Sequence, residues 1–331
     1  MQGYLKILLS LHKIFHDMKK LLILLSLFVI GASANTTAKE KNAPKEFTLK
    51  IGTYNVWSDA ARRWQIRCKN TDETRNWQNS REALADLIAK LDWDIMAIQE
   101  STKVINQELP DLVKSAGAKK YAWWFESAYP EGHKTYMTGP GVAYRKDLFK
   151  LSNQKCFWIS ETPTIPSTGW DEVRHMRMVM TAVVTHKKSK TQFFLMAFHG
   201  PLKPKAKVAA ARIITEVEQA ENHKGLPVIF LGDMNAWPDT KFYEIITKHF
   251  DDSFEVAEKR CETIGTFHSS QEVESFFEQQ RRRIDFIFLR GNKGSFEVKS
   301  YDVNRDKYNC GGVMHYPSDH NPVGVVLKIK Q

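Results

Sequence analysis

The sequence predicts an α/β protein in which two β-sheets pack together and helices cover their outer faces. Around ten β-former-rich segments are interleaved with about four one-faced helical segments, a layout that buries both element types as stacked layers. The 331 residues are 42% hydrophobic and 26% charged, the composition of a globular chain with ample core. No Gly/Ser/Pro-rich linker, repeat or low-complexity tract interrupts it, so residues 48–331 are expected to form one domain.

The elements follow in order. "FTLKIGTYNVW" alternates and is rich in β-formers, so it reads as the first strand. "DETRNWQNSREALADLIAKLD" places Trp77, Leu84, Leu87, Ile88 and Leu91 on one helical face. "WDIMAIQE" follows as a buried strand ending in Gln99 and Glu100. "GVAYR", "KCFWIS", "MRMVMTAVVTHK" and "TQFFLMAFHG" are further strands, the last two paired through the polar "KKSK" turn. "KAKVAAARIITEVEQAENH" is a long helix stopped by Gly225 and Pro227. Then come the strand "VIFLGD", a helix around "TKFYEIITKHF", and the strands "IDFIFLR", "SFEVKSYDV" and "PVGVVLKI".

The N-terminus reads as lying outside the fold. From Met18, two lysines, the apolar run Leu21 to Ile30 and the small residues Ala32-Ser33-Ala34 follow the layout of a secretory signal. Cleavage is expected near Ala34, and the apolar run is short for a bilayer span. A secreted or periplasmic location without a stable membrane anchor is therefore expected. Residues 1–34 are an upstream extension plus this signal, and 35–47 a polar, disordered leader.

The formal charge is +10; Lys6, Lys13, Lys19 and Lys20 against Asp17 give residues 1–34 a charge of +3, leaving +10 − 3 = +7 for the mature chain. This suits phosphate-bearing substrates without demanding nucleic acid. "QQRRRID" is the densest basic run and reads by itself as a solvated loop. Cys68, Cys156, Cys261 and Cys310 show no CxxC or zinc spacing. An oxidising compartment permits disulfides among them, and no pairing is assigned.

The strands share one habit. "TYNV", "AIQE", "AFHG", "FLGDMN", "RRIDFIF" and the "SDHNP" before the last strand each set a polar or ionisable residue within or beside an apolar run. Buried carboxylates and amides are costly unless paired or metal-bound. A single such ending has an ordinary explanation: Asp233 alone would pass as an Asx turn. Six together are explained by one cluster at a sheet edge, around a cation and a phosphate.

The ordered succession of TYNV, QE, "AYRKD", "FWISETP", a lone histidine after a strand, GDxN, GTFH, RIDFIF and YPSDHNPV resembles the endonuclease/exonuclease/phosphatase superfamily, the deoxyribonuclease-I-like metal-dependent phosphoesterases. The likeness runs from about Thr48 to Lys330. It implies a four-layered α/β/β/α sandwich with two mixed sheets and a site at one edge. It further implies Mg²⁺, or Mn²⁺ in its place, held by Glu100 with Asn55 beside it and Asp319 supporting the same region. Such a hard cation takes carboxylate, amide and water oxygens. His320 would be partnered by Asp285, which fixes its tautomer. Asp233 and Asn235 would orient the attacking water and contact the phosphate, alternating to one side of an extended segment. His199 resembles the second family histidine, a donor to a phosphate oxygen, and Arg177 a family arginine facing the phosphate. The implied reaction is in-line attack of water on phosphorus.

Two departures bear on specificity. The family commonly reads Asn-Thr-His-Leu-Asp where this chain has Ala197-Phe198-His199-Gly200-Pro201. "GTFH" is followed by Ser269-Ser270, and His268 reads as structural. The implied partner is a phosphate ester handled by a monomer. Nucleic acid is not favoured, because "SETPTIPSTGWDEVRHM" is no backbone cradle and the charge is only moderate. Of Trp57, Trp64, Trp123, Trp124 and Trp170, only Trp170, in a Pro/Gly loop, is expected at a surface. A secreted nuclease is the alternative within the class. A non-catalytic binding module is the alternative outside it, and the presence of Asn55, Glu100, Asp233, Asn235, Asp285, Asp319 and His320 argues against it.

Overall fold

The computed structural model describes residues 46–330 apart from 70–71, 119, 133–138, 263 and 292–293. The signal, the extension and all of the leader but Glu46 and Phe47 lie outside these residues. In chain order the larger elements are β1 (Glu46–Asn55), α1 (Asp59–Lys69), α2 (Trp77–Leu91), β2 (Ile95–Ser101), α3 (Lys103–Ser115), β3 (Tyr121–Phe125), β4 (Gly139–Arg145) and β5 (Phe149–Trp158). They continue with β6 (Met178–His186), β7 (Gln192–His199), α4 (Pro204–Glu221), β8 (Val228–Asp233), α5 (Lys241–Ile246), β9 (Asp251–Asp252) and α6 (Ser253–Val256). β10 (Asp285–Arg290), β11 (Phe296–Val303), β12 (Tyr308–Cys310), β13 (Val313–His315) and β14 (Val323–Lys330) complete the chain.

Two six-stranded mixed sheets result, ordered β11-β14-β1-β2-β4-β3 and β5-β6-β7-β8-β10-β9. The central pairs β1–β2 and β7–β8 are parallel and their neighbours antiparallel. Between the sheets lies a core that includes Leu49, Ile51, Ile95, Ala97, Leu195, Ala197, Ile229, Leu231 and Ile287. The outward rows meet helices: Tyr54, Met96 and Ile98 share a cluster with Leu84, Ile88, Ile105 and Leu109 of α2 and α3. Phe194, Met196 and Phe230 share another with Ile213, Ile214 and Val217 of α4. The expected four-layered sandwich is present.

α1, α3 and β3 were not anticipated. α3 runs unbroken through an internal Pro110, and Thr102 caps its start by accepting from the Ile105 N–H at 3.4 Å. β3, "YAWWF", is half-buried at a sheet edge, where alternation fades. No disulfide joins the cysteines among the described residues, and no described helix is long and apolar enough to cross a membrane.

Gly52 and Gly324 face each other across β1 and β14, and the buried Trp93 indole lies flat over both. A Cβ on Gly52 would sit 2.4 Å from the ring, and one on Gly324 2.7 Å from its Nε1. Gly52→Ala is expected to lower unfolding stability by about 1–3 kcal/mol through overpacking. A urea midpoint equal to that of the wild type would refute this fit.

Candidate active site

Strand parity builds the site. On β1, β7, β8 and β10 the inward rows are Leu49-Ile51, Leu195-Ala197, Ile229-Leu231 and Ile287-Leu289. Continued by steps of two, those rows reach Asn55, His199, Asp233 and Asp285. Register then aligns them: His199 pairs with Asp233 between β7 and β8, and Asp233 with Asp285 between β8 and β10. An apolar strand thus ends in a carboxylate because its inward row runs out of core and into a polar pocket.

Glu100 arrives differently. Its parity on β2 is that of Met96 and Ile98, which face the helices. It is turned by a left-handed backbone, φ 61°, where the β2–β4 register slips between Ile98 and Ser101. Such a bulge re-aims a side chain at the cost of local strain. Gly232 serves the GDxN loop in a similar way. Its φ is 152°, and a Cβ there would lie 2.0 Å from the Phe198 carbonyl oxygen, so only glycine lets β8 run this close to β7.

The Asn55 amide is the hub between the sheets. Its Nδ2 donates to Glu100 Oε1 at 3.2 Å and to Asp233 Oδ2 at 3.0 Å, and lies 3.5 Å from His320 Nε2. Its Oδ1 accepts from the Trp57 N–H at 3.0 Å. In this arrangement the Asn55 nitrogen, which has no lone pair to offer, faces the pocket, and its oxygen is held by the Trp57 N–H. The other Glu100 oxygen accepts from the Ser58 N–H at 3.0 Å. Burial opposes ionisation of Glu100, but His199, the Ser58 N–H, the Asn55 amide and His320 outweigh it and hold the carboxyl below its usual range.

His320 Nδ1 meets Asp285 Oδ2 at 2.8 Å, and the Thr266 hydroxyl donates to the same oxygen at 2.6 Å. Its Nε2 points toward Asp233 Oδ2, 3.9 Å away. Burial disfavours the imidazolium, yet Asp285 and Asp233 prevail and push its pKa up to about 10. Burial likewise opposes ionisation of Asp233, and His320 and His199 overcome it, keeping Asp233 well below the carboxylate range.

Arg177 reaches the site through His199, its Nη1 lying 2.7 Å from Nδ1. Guanidinium only donates, so Nδ1 accepts and the proton sits on Nε2, 3.4 Å from Asp233 Oδ2. Burial, then Arg177, lowers the His199 pKa, and the ring is a neutral donor at neutral pH.

Asn235 is placed otherwise than the sequence suggested. β8 ends at Asp233, whose Oδ1 accepts from the Asn235 N–H at 2.8 Å, an Asx turn that leaves Asn235 at φ 49°. The extended alternation stops there, and Asn235 Nδ2 donates to the Gly200 carbonyl at 3.1 Å. Asp233 therefore closes a turn with one oxygen and faces the pocket with the other.

Asp319 is buried with few compensating donors; Ser318 Oγ lies 3.5 Å from its Oδ1. Burial, with Glu100 acting the same way, pushes its pKa up to about 6. Two carboxylates that disfavour each other's charge in a polar pocket suit a hard cation. Asp233, Asp285 and His320 also lie close enough together to hold an ion, within 4.8 Å. There the imidazole bonds Asp285 Oδ2 through Nδ1 at 2.8 Å, while its Nε2 stands 3.9 Å from Asp233 Oδ2 and Asp285 Oδ1 is buried without a hydrogen-bond partner.

Several supporting residues escaped the sequence reading. The buried Arg62 donates to four carbonyls, of Trp57, Val56, Arg75 and Pro317, at 2.7–3.0 Å. It thereby ties the loop after Asn55 to the loop before Asp319. Arg62 and Arg75 lie 4.3 and 4.7 Å from the Trp57 ring centroid. Ser318 Oγ donates to the Asn55 carbonyl at 2.7 Å. An arginine in a helical run carries no signal separating such a clamp from a solvated residue. His268 is fully buried, with its ring centroid 4.6 Å from that of Tyr316. Trp64 joins Trp170 at the surface.

A two-sheet sandwich whose strand ends gather carboxylates, imidazoles and a guanidinium into one pocket defines a phosphoesterase-type fold. The chain belongs to the Endonuclease/Exonuclease/phosphatase family, whose model matches residues 52–320; members of this family are phosphoric ester hydrolases. It is similar to a solved family protein from Bacteroides thetaiotaomicron at 25% identity and TM-score 0.71, over 86% of this chain and 99% of that one. It also resembles a mannosyl-6-phosphatase from Bacteroides thetaiotaomicron VPI-5482, at 27% identity and TM-score 0.69 over 84% and 99% of the two chains. The D. rerio TDP2 complexed with a single-strand DNA product shares the fold, at 19% identity and TM-score 0.61 over 85% and 98%.

Proposed function

We propose that the protein is a divalent-metal-dependent phosphoric ester hydrolase, exported to the periplasm or the cell exterior, that cleaves a phosphate ester by in-line attack of water. The observation that carries this reading is the Asn55 amide, which joins Glu100 of one sheet to Asp233 of the other. With it stands the Asp285–His320 pair, 2.8 Å apart.

Glu100 and Asp319 would hold Mg²⁺ or Mn²⁺, and a bound ion supplies Lewis-acid neutralisation of phosphoryl charge. The chain's own groups divide the remaining work. Asp233, ionised and facing the pocket, accepts a hydrogen bond from the attacking water and aligns it. His320 is held as an imidazolium by Asp285, so its role is donor and charge stabiliser rather than base. His199 Nε2–H supplies a further neutral donor, fixed by Arg177. Preorganised donors of this kind stabilise charge that develops in the transition state.

With p-nitrophenyl phosphate and its bis ester as probes, EDTA is expected to reduce turnover to background and Mg²⁺ or Mn²⁺ to restore it. An undiminished rate in EDTA overturns the metal dependence. A panel of plasmid DNA, RNA, sphingomyelin, inositol phosphates and nucleotide monophosphates, each with Mg²⁺, identifies the ester class.

A further inference from the structure

Beside the catalytic loops lies a groove of about 240 Å³, lined by Trp237, Pro238, Asp239, Gln279, Gln280 and Arg281. We propose that it is a binding subsite for a polyhydroxylated six-membered ring, so that the ester hydrolysed is a ring-polyol monophosphate. This rests on the phosphoesterase reading and deepens it.

Position comes first. Trp237 lies two residues beyond Asn235, on the loop that leaves β8. Gln279, Gln280 and Arg281 run directly into Arg282, whose guanidinium lies 3.6 Å from the Phe276 ring centroid and 5.6 Å from that of Phe267. Phe267 in turn pairs with His320 through an isolated bridge, their rings 4.9 Å apart. Both walls of the groove are therefore continuations of loops that carry catalytic groups. Lys207 of α4 stands over the Trp237 wall. Its Nζ lies 5.4 Å from the Trp237 ring centroid. Burial lowers its pKa, while Asp233 and Glu172 act in the opposite sense.

Chemistry comes second. The groove sets one half-buried indole among a carboxylate, two primary amides and a guanidinium. An indole offers an apolar face to the C–H side of a ring, while Asp239, Gln279, Gln280 and Arg281 supply both donors and acceptors for hydroxyls. Arg281 and Asp239 lie 3.3 Å apart with side chains 74% and 54% exposed, a pair weak enough to open for a ligand. The volume falls below the roughly 300–1,000 Å³ of pockets for drug-sized ligands, which suits a single ring. No second aromatic among the lining residues stands opposite Trp237 to sandwich a base, which disfavours a nucleotide. The "QQRRR" run, unremarkable as sequence, becomes one wall of a recognition site.

The test is a comparison of kcat/KM with Mg²⁺ for mannose 6-phosphate, myo-inositol 1-phosphate, glycerol 2-phosphate, AMP and p-nitrophenyl phosphate. The expected result is a preference of at least tenfold for the hexose or the inositol ester over glycerol 2-phosphate, and the better of the two identifies the ring. In Trp237→Ala and in Asp239→Ala that preference ratio should fall at least fivefold. Asp239 is exposed, so its variant remains informative if Trp237→Ala fails to fold. A wild type that hydrolyses p-nitrophenyl phosphate without ring preference, a lead for AMP, or a ratio unchanged in Asp239→Ala overturns the subsite alone. No hydrolysis of any of these esters, nor of plasmid DNA or RNA, overturns the phosphoesterase reading and the subsite with it.

Discussion

His320→Ala is expected to lower kcat for any accepted phosphate ester by about 10³-fold or more, in a protein that still folds. Two losses combine. A positioned proton donor contributes about 10²–10⁴-fold, and a fixed positive charge beside the developing phosphorane adds electrostatic stabilisation. Folding should survive because His320 lies in a loop outside the three apolar clusters. Stability will nevertheless fall in a pH-dependent way. The His320 pKa is raised to about 10 by Asp285 and Asp233 against the cost of burial. Its contribution to stability is therefore complete below the unfolded histidine value, about 6.5, and is lost as pH rises through about 10. In the metal-free protein, the Tm difference between wild type and variant should be larger at pH 6 than at pH 10. Circular-dichroism melts and steady-state kinetics read both effects. Wild-type kcat in the variant removes His320 from the mechanism, and a Tm difference that grows with pH removes its charge from the account.

Much of this site was legible in the sequence because strand parity is a local rule. His199, Asp233 and Asp285 each extend a visible inward row by one step of two, and Asn55 extends its row by two such steps through Thr53, so polar endings on apolar runs announced a shared pocket. Where the chain leaves regular geometry, the rule fails. Glu100 is aimed by a bulge, and Asn235 is diverted by an Asx turn whose acceptor is Asp233 itself. The sequence holds both the turn and the alternation as readings of "GDMN", and only the packed loop decides. Asn55 shows another limit. Composition says amide, but which end of the amide faces the pocket depends on the Trp57 N–H that claims its oxygen. Arg62 shows the last: its four carbonyl partners belong to segments up to 255 residues away in sequence, beyond any periodicity.

Glu100→Gln tests the other pole of the site and should be nearly as severe, with a loss of activity of about 10²–10³-fold at a Mg²⁺ concentration that saturates the wild type. The substitution preserves shape. A glutamine oxygen still accepts from the Ser58 N–H, and the left-handed backbone at this position is unchanged, so the loss tracks charge rather than folding. Removing that charge also relieves Asp319. Glu100 is one reason, after burial, that the Asp319 carboxyl is pushed up to about 6, so Asp319 should ionise more readily in the variant. One carboxylate then faces the cation where two did before, and hard cations bind through such charge. Calorimetric titration of Mn²⁺ should show at least tenfold weaker binding, with activity partly recovered at high metal concentration. Weak binding with recovery assigns Glu100 to the ion. Unaltered Mn²⁺ affinity combined with lost activity would move Glu100 from metal ligand to a group that acts on the phosphate directly, and full activity would remove it from the site.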